Sequence, residues 1–298
     1  MTMLTQPRVE NPSPLLFIPD TQYGQAKGAP LLLDVLAPPR SSAVRPAVIW
    51  LHGFGWFAGT RRDHLEVSNC VFLAAHGFFT VSIEYRLSGD APFPAQIHDV
   101  KAAIRWLRAH AATYGIDPAH IGIWGASAGG HLAALAGVTG DQPEWEGESG
   151  SAGYSSRVQA VAIASAPSDF LQLGGAMAAG NEDPAHPVTQ LFGGAVAERA
   201  DLMRRASPLH QIRADAAPFF IAHGTLDETV PFTQGQRFYE ALRAAGVAAE
   251  FVPLEGRYHN WMEQAESPIP GREETWKLGP LALPFFDKHL RPPSAVKS

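Results

Sequence analysis

Residues Gly125-Ala126-Ser127-Ala128-Gly129 constrain this chain more than any other stretch. This G-x-S-x-G pentapeptide follows a short apolar run, Ile121 to Trp124, and precedes a helix-like segment from Gly130 to about Thr139. A strand, this pattern and a helix in succession describe a nucleophile elbow, a sharp turn that perches a serine at the end of a strand. Small residues two before and two after the serine permit the turn, because a bulky side chain at either place meets neighbouring backbone. A serine hydroxyl is a poor nucleophile at neutral pH and needs a base beside it. The rival reading is a Gly-rich strand-to-helix turn with an incidental serine, so the rest of the chain has to supply partners.

Apolar runs of strand length recur along the sequence. Leu15 to Pro19 and Leu31 to Leu36 read as an opening hairpin pair. Ala47 to Leu51, Phe78 to Tyr85, Ile121 to Trp124, Val158 to Ile163, Pro218 to Ala222 and Glu250 to Leu254 follow. Continuous apolar runs of this length suit strands covered on both faces, as in parallel sheets. Helical segments lie between them. In Gln96 to Ala109, Ile97, Val100, Ile104 and Leu107 form one apolar stripe. Leu65 to Ala75, Phe232 to Ala245 with Gly246 as its stop, and about Glu274 to Leu290 are the others. The expected fold is one α/β domain over residues 1–298, an eight-stranded mostly parallel sheet flanked by helices. Two stretches break the alternation: Asp141 to Arg157, and Leu171 to Ser207 with Pro184 and Pro187. Both read as excursions over the C-terminal edge of the sheet. The second is expected to form a small cap, since a structureless loop of that length is uncommon in a compact domain.

Composition narrows the partners. With 46% hydrophobic and 17% charged residues and a net charge of −6, the chain suits a large core and carries no basic surface. Nucleic acid and anionic membrane are therefore not expected partners. One cysteine, Cys70 in the apolar run Val67 to Ala75, reads as a small buried hydrophobe. There is no signal-peptide pattern in Met1 to Pro14 and no apolar run near ~18 residues, so the expectation is a soluble cytoplasmic protein. Oligomeric state is not legible.

In open α/β sheets functional residues gather where strands end. Four strand-end loops here carry matching chemistry. Ser127 follows the fifth strand, Asp227 lies in the loop after the seventh, and His259 follows the eighth. His52-Gly53-Phe54-Gly55-Trp56 follows the third. Proton bookkeeping then assigns roles: Ser127 attacks a carbonyl, His259 takes and returns its proton, and Asp227 orients the imidazole. Backbone N–H groups of Phe54, Gly55 and Ala128 are the expected oxyanion donors, with His52 and Gly53 supporting the loop. Each assignment has a rival. There are 12 histidines; His223, at a strand end, reads as structural, and His131 as packed or solvated. Glu228 and Asp169 compete with Asp227. Phe54, Trp56, Phe57 and Trp261, with Phe170 and Phe192 under a folded cap, are candidate substrate-pocket walls, and each competes with a core role.

Taken together, the motifs resemble an α/β-hydrolase of the esterase/lipase group with an HGGGW-type oxyanion loop. The hormone-sensitive-lipase-like and feruloyl-esterase-like branches and kynurenine formamidases are the most similar. The matching residues are His52 to Trp56, Glu84-Tyr85-Arg86, Gly125 to His131, His223-Gly224 with Asp227 and Pro231, and His259. The resemblance implies hydrolysis through an acyl-enzyme without metal or other cofactor. Phe54 departs from the pattern, standing where HGGGW has its middle glycine, and puts a benzyl group beside the site. The expected activity is a serine carboxylesterase for small to medium esters, aryl or hydroxycinnamoyl esters included. An arylformamidase or amidase and a non-catalytic ligand-binding protein remain alternatives, because triad chemistry does not separate the substrates.

Overall fold

The computed structural model describes residues 14–174, 183–259 and 278–291. The described elements run β1 (Leu16–Ala26), β2 (Ala29–Ala37), β3 (Arg45–Leu51), α1 (His64–Ala75), β4 (Phe79–Ile83), α2 (Ala95–Ala109), α3 (Ala111–Tyr114), β5 (Ile116–Ala126) and α4 (Ala128–Val138). They continue with β6 (Ala160–Ala164), α5 (Pro187–Phe192), α6 (Ala200–Ala206), β7 (Phe219–Gly224), α7 (Phe232–Ala244), β8 (Ala249–Leu254) and α8 (Leu278–Leu290). The eight strands form one sheet in the order β1-β2-β4-β3-β5-β6-β7-β8. β1 and β2 pair antiparallel, as do β2 and β4, and every pair from β4 through β8 is parallel.

The apolar runs follow from this layering. Alternate residues of a strand face opposite sides of the sheet. On β3, Ala47, Ile49 and Leu51 join a core with Ile104 of α2, Leu132 of α4 and Phe238 of α7. Val48 and Trp50 join a second core with Leu73 of α1 and Phe286 of α8. Both faces are dry, so neither parity is polar. Cys70 lies buried in α1 within the second core.

Three expectations shift. β5 begins at Ile116, before the apolar run: Arg45 pairs with Ile116, and the ladder then slips before Ala47 pairs with Ile121. α4 starts at Ala128 with Ser127 as its N-cap, so the elbow is itself the helix start. The Asp141 to Arg157 excursion does not cover the C-terminal edge. It leaves the C-terminal end of α4, which points back toward the strand N-termini, and lies against α2 through Lys101 and Arg105 to Glu146. Its exit, Arg157, pairs with Asp215 just before β7. The second excursion contains α5, α6 and two 3-10 turns, Phe170–Gln172 at its start and Val196–Glu198, with residues 175–182 outside the described chain.

Candidate active site

β3, β5, β7 and β8 run in one direction, so the loops after them meet at one edge of the sheet. At the end of β5 the chain turns so sharply that Ser127 has φ 52° and ψ −119°. A non-glycine residue there costs on the order of 1–3 kcal/mol, tolerated only where the surroundings fix it. The flanking glycines explain the pentapeptide. A Cβ on Gly125 would lie 2.3 Å from the Gly129 carbonyl oxygen, and one on Gly129 would lie 2.2 Å from that of Leu51. The Ser127 N–H donates to the Ala164 carbonyl at 2.9 Å, tying the elbow to β6.

His259 Nε2 lies 2.9 Å from Ser127 Oγ. Its Nδ1 lies 2.9 Å from Asp227 Oδ2 and 3.1 Å from Oδ1. Asp227 is held from behind: its Oδ1 accepts from the Thr229 and Val230 N–H groups at 3.0 and 2.9 Å. Burial pushes the carboxyl up. Hydrogen bonds from His223, His259 and the backbone, with the neighbouring imidazole charge, outweigh burial and hold it well below the usual carboxylate range. His223 is therefore more than strand packing: fully buried, it donates to the Val230 carbonyl at 2.8 Å with Asp227 Oδ2 at 3.4 Å. Its i,i+4 spacing from Asp227 was the one sequence signal for that contact. Asp169 faces His210 and Arg237 instead, and Glu228 points to solvent.

The loop after β3 closes the other side. Phe54, Gly55 and Trp56 take φ of 62°, 61° and 64°, a left-handed turn with two side-chain-bearing members. Phe54 and Gly55 open this turn and Ala128 opens α4, so their N–H groups have no acceptor within their own turns. A Cβ on Gly53 would sit 3.5 Å from Ser127 Cβ, which places the loop directly against the elbow. His52 is buried and stacks on Tyr85 at 4.2 Å, while the Tyr85 hydroxyl donates to the His52 carbonyl at 2.9 Å. Trp56 donates its indole N–H to His131 Nδ1 at 3.1 Å, and His131 Nε2 lies 2.8 Å from the Ala206 carbonyl.

Burial pushes the imidazoles of His52 and His131 down to about 4. In the unfolded chain each binds its proton near pH ~6.5. Between those values the unfolded state holds the extra protons. Stability is thus full above pH ~6.5 and is lost as pH falls toward 4, by up to roughly 3 kcal/mol per histidine. Urea denaturation at pH 7.5, 6 and 5 is expected to show midpoints falling in that order. Equal midpoints at pH 7.5 and 5 would contradict buried neutral imidazoles.

The expected pocket walls divide by burial. Phe54 and Phe57 are 57% and 49% exposed beside the loop. Trp56, Phe170 and Phe192 are instead core residues. Trp56 packs at 5.6 Å from Phe170, and Phe170 at 5.1 Å from Phe192, beneath the cap helices. Phe170 also edges a cavity of about 310 Å³ with Gln172, Val188, Val196 and Met203. These rings turned inward because the cap packs onto the sheet as a continuation of the main core, with Val188, Leu191 and Met203. Trp261 lies outside the described residues.

Comparison with known proteins follows the same pattern. The BD-FAE family model matches residues 33–242. A probable carboxylic ester hydrolase, LipM, of Mycobacterium tuberculosis is 35% identical over 74% of this chain and 50% of its own length. Esterase LipQ of the same organism is 34% identical over 80% of this chain and 56% of its own. The chain thus spans about half the length of these curated relatives. A truncated carbohydrate esterase from gut microbiota superposes with a TM-score of 0.80 at 29% identity, covering 95% of this chain and 99% of that one. The propionate-bound esterase Est2 of Thermogutta terrifontis gives a TM-score of 0.71 at 28% identity, covering 94% and 96%. On the extent of the family match and the likeness of the whole sheet, the chain belongs to the BD-FAE family, in the hormone-sensitive-lipase-like and feruloyl-esterase-like branch of the α/β-hydrolases.

Proposed function

We propose that this chain is a serine carboxylesterase that cleaves small to medium carboxylic esters through an acyl-enzyme. The observation that carries the reading is His259, with one ring nitrogen 2.9 Å from Ser127 Oγ and the other 2.9 Å from Asp227. His259 Nε2 removes the Ser127 proton as Oγ attacks the ester carbonyl. The oxygen that gains charge meets the N–H groups of Phe54, Gly55 and Ala128. The tetrahedral species collapses, the C–O bond to the alcohol breaks, and His259 returns the proton to the departing oxygen. Water repeats the sequence on the acyl-enzyme and releases the acid. Asp227 stays anionic throughout, consistent with its depressed pKa.

Substrate size rests on the cap. Its helices α5 and α6 have 6 and 7 residues, and the exposed Phe54 and Phe57 stand beside the oxyanion loop. Aromatic faces there suit aryl or hydroxycinnamoyl groups. The carbohydrate-esterase and propionate-bound neighbours add acylated sugars and short acyl chains to the candidates. The test is kcat/KM across p-nitrophenyl esters from acetate to decanoate, methyl hydroxycinnamates, acetylated sugars and N-formyl anilides. Esters of two to six acyl carbons are expected to exceed decanoate and the N-formyl anilides by at least roughly tenfold, the discrimination of a site lacking a few methylene contacts. An N-formyl anilide faster than every ester would replace the reading with a formamidase. No hydrolysis of any ester would overturn it.

A further inference from the structure

His131 lies one helical turn below Ser127, fully buried, and touches three separate parts of the site. Its backbone N–H donates to the Ser127 carbonyl at 2.9 Å. Its ring joins the oxyanion loop to the cap. An indole N–H can only donate, so Nδ1 accepts from Trp56 and the ring proton resides on Nε2, which donates to the Ala206 carbonyl at the end of α6. Only the neutral Nε2–H tautomer satisfies both bonds. Burial holds the imidazole neutral at ordinary pH.

The turn this ring holds is unfavourable by itself. A left-handed residue with a side chain costs about 1–2 kcal/mol, and Phe54 and Trp56 are both left-handed. Packing alone is non-directional. The Trp56 indole sits edge-on to His131 at 5.4 Å and also against Phe170, contacts that a rotated backbone could keep. The Trp56–His131 hydrogen bond is directional. It is joined by the Ser88 N–H, which donates to the Trp56 carbonyl at 2.8 Å.

We propose that His131 is a positioning residue for the oxyanion hole: it braces the left-handed Phe54–Trp56 turn against the cap carbonyl of Ala206, keeping the Phe54 and Gly55 amides aimed at the oxygen above Ser127. The cap thereby helps set the rate of the chemical step as well as the shape of the pocket. The inference rests on the serine-esterase reading.

The test compares His131→Leu, His131→Gln and Trp56→Phe with the wild type on p-nitrophenyl butyrate, together with inhibition by an alkyl boronic acid, whose serine adduct is tetrahedral. An oxyanion donor acts in the transition state, and losing one typically costs about 10²–10³ in kcat. His131→Leu is expected to lower kcat roughly 10²-fold, with KM within about threefold and boronate inhibition weakened in proportion to kcat. His131→Gln, which keeps one acceptor and one donor, is expected to recover at least roughly tenfold of that loss. Trp56→Phe removes the indole N–H together with part of a fully buried ring; it is expected to behave as His131→Leu does, and it carries the test if His131→Leu does not fold. Variants that lose stability but keep wild-type kcat and boronate affinity would overturn the inference, as would Gln no better than Leu. A wild-type protein inactive on every ester would defeat the esterase reading itself, a distinguishable result.

Discussion

Replacing Ser127 by alanine is expected to lower kcat/KM for p-nitrophenyl butyrate by at least roughly 10⁴-fold, with the fold retained. The substitution removes one oxygen, whose described hydrogen-bond partner is His259 Nε2. The backbone conformation at this position is set by the Ser127 N–H on Ala164 and by the close contacts of Gly125 and Gly129. A methyl group at the same strained φ leaves those contacts in place, so the thermal midpoint should move little. What remains in the variant is the binding surface and the amides proposed as oxyanion donors, which can still polarise an ester toward attack by water. A residual rate above the uncatalysed one is therefore compatible with the mechanism. A fluorophosphonate probe should label the wild type once, at Ser127, and the variant not at all. Retention of more than about 1% of wild-type activity, or a label on another residue, would remove Ser127 from its role.

The sheet was legible because its central strands are dry on both sides. Apolar runs of strand length stand out where neither face can be polar, and helical stripes such as Ile97, Val100, Ile104 and Leu107, all fully buried, separate them. Strand ends were legible for the same reason, and they place Ser127, Asp227, His259 and the His52 to Trp56 loop at one edge without any coordinate. Boundaries were less so. Ile116 pairs with Arg45 across a register slip that no apolar pattern records. The direction of the Asp141 to Arg157 excursion depends on which way α4 carries the chain, a matter of topology and not of composition. Aromatic residues were the least legible. Trp56 read as a pocket wall because it lies in the loop after β3, and Phe170 and Phe192 because a folded cap would bring them near, and a ring in a wall has the same chemistry as a ring in a core. The structure separates them by burial, with Phe54 and Phe57 outside and the other three inside. His131 was ambiguous for a related reason. Its place four residues after Ser127 fixes its face of the helix, but its two partners come from 75 residues away on either side.

The Asp227→Asn variant is expected to lose roughly 10³–10⁴-fold in kcat, and the environment of the carboxylate states why. Oδ1 accepts from two backbone N–H groups, those of Thr229 and Val230. In the variant these donors require the amide oxygen at that position, since an NH2 group facing two N–H groups would leave three donors without an acceptor. The NH2 must then take the place of Oδ2, 2.9 Å from His259 Nδ1. It donates, so Nδ1 has to accept and the ring proton moves to Nε2. That nitrogen is the one 2.9 Å from Ser127 Oγ. An Nε2 that already carries a proton cannot take the proton of Ser127, and the imidazolium loses its anionic partner as well. His223 does not restore the balance, because its Nε2–H is committed to the Val230 carbonyl. The loss should therefore fall on kcat, with KM and boronate-free substrate binding little changed, and Asp227→Ala should be no worse than Asp227→Asn despite removing more atoms. Steady-state kinetics of the two variants on p-nitrophenyl butyrate at pH 8 provides the check. An Asn variant within tenfold of wild type would mean that the imidazole takes its orientation from some other group, and Asp169, already engaged by His210 and Arg237, is too committed to supply it.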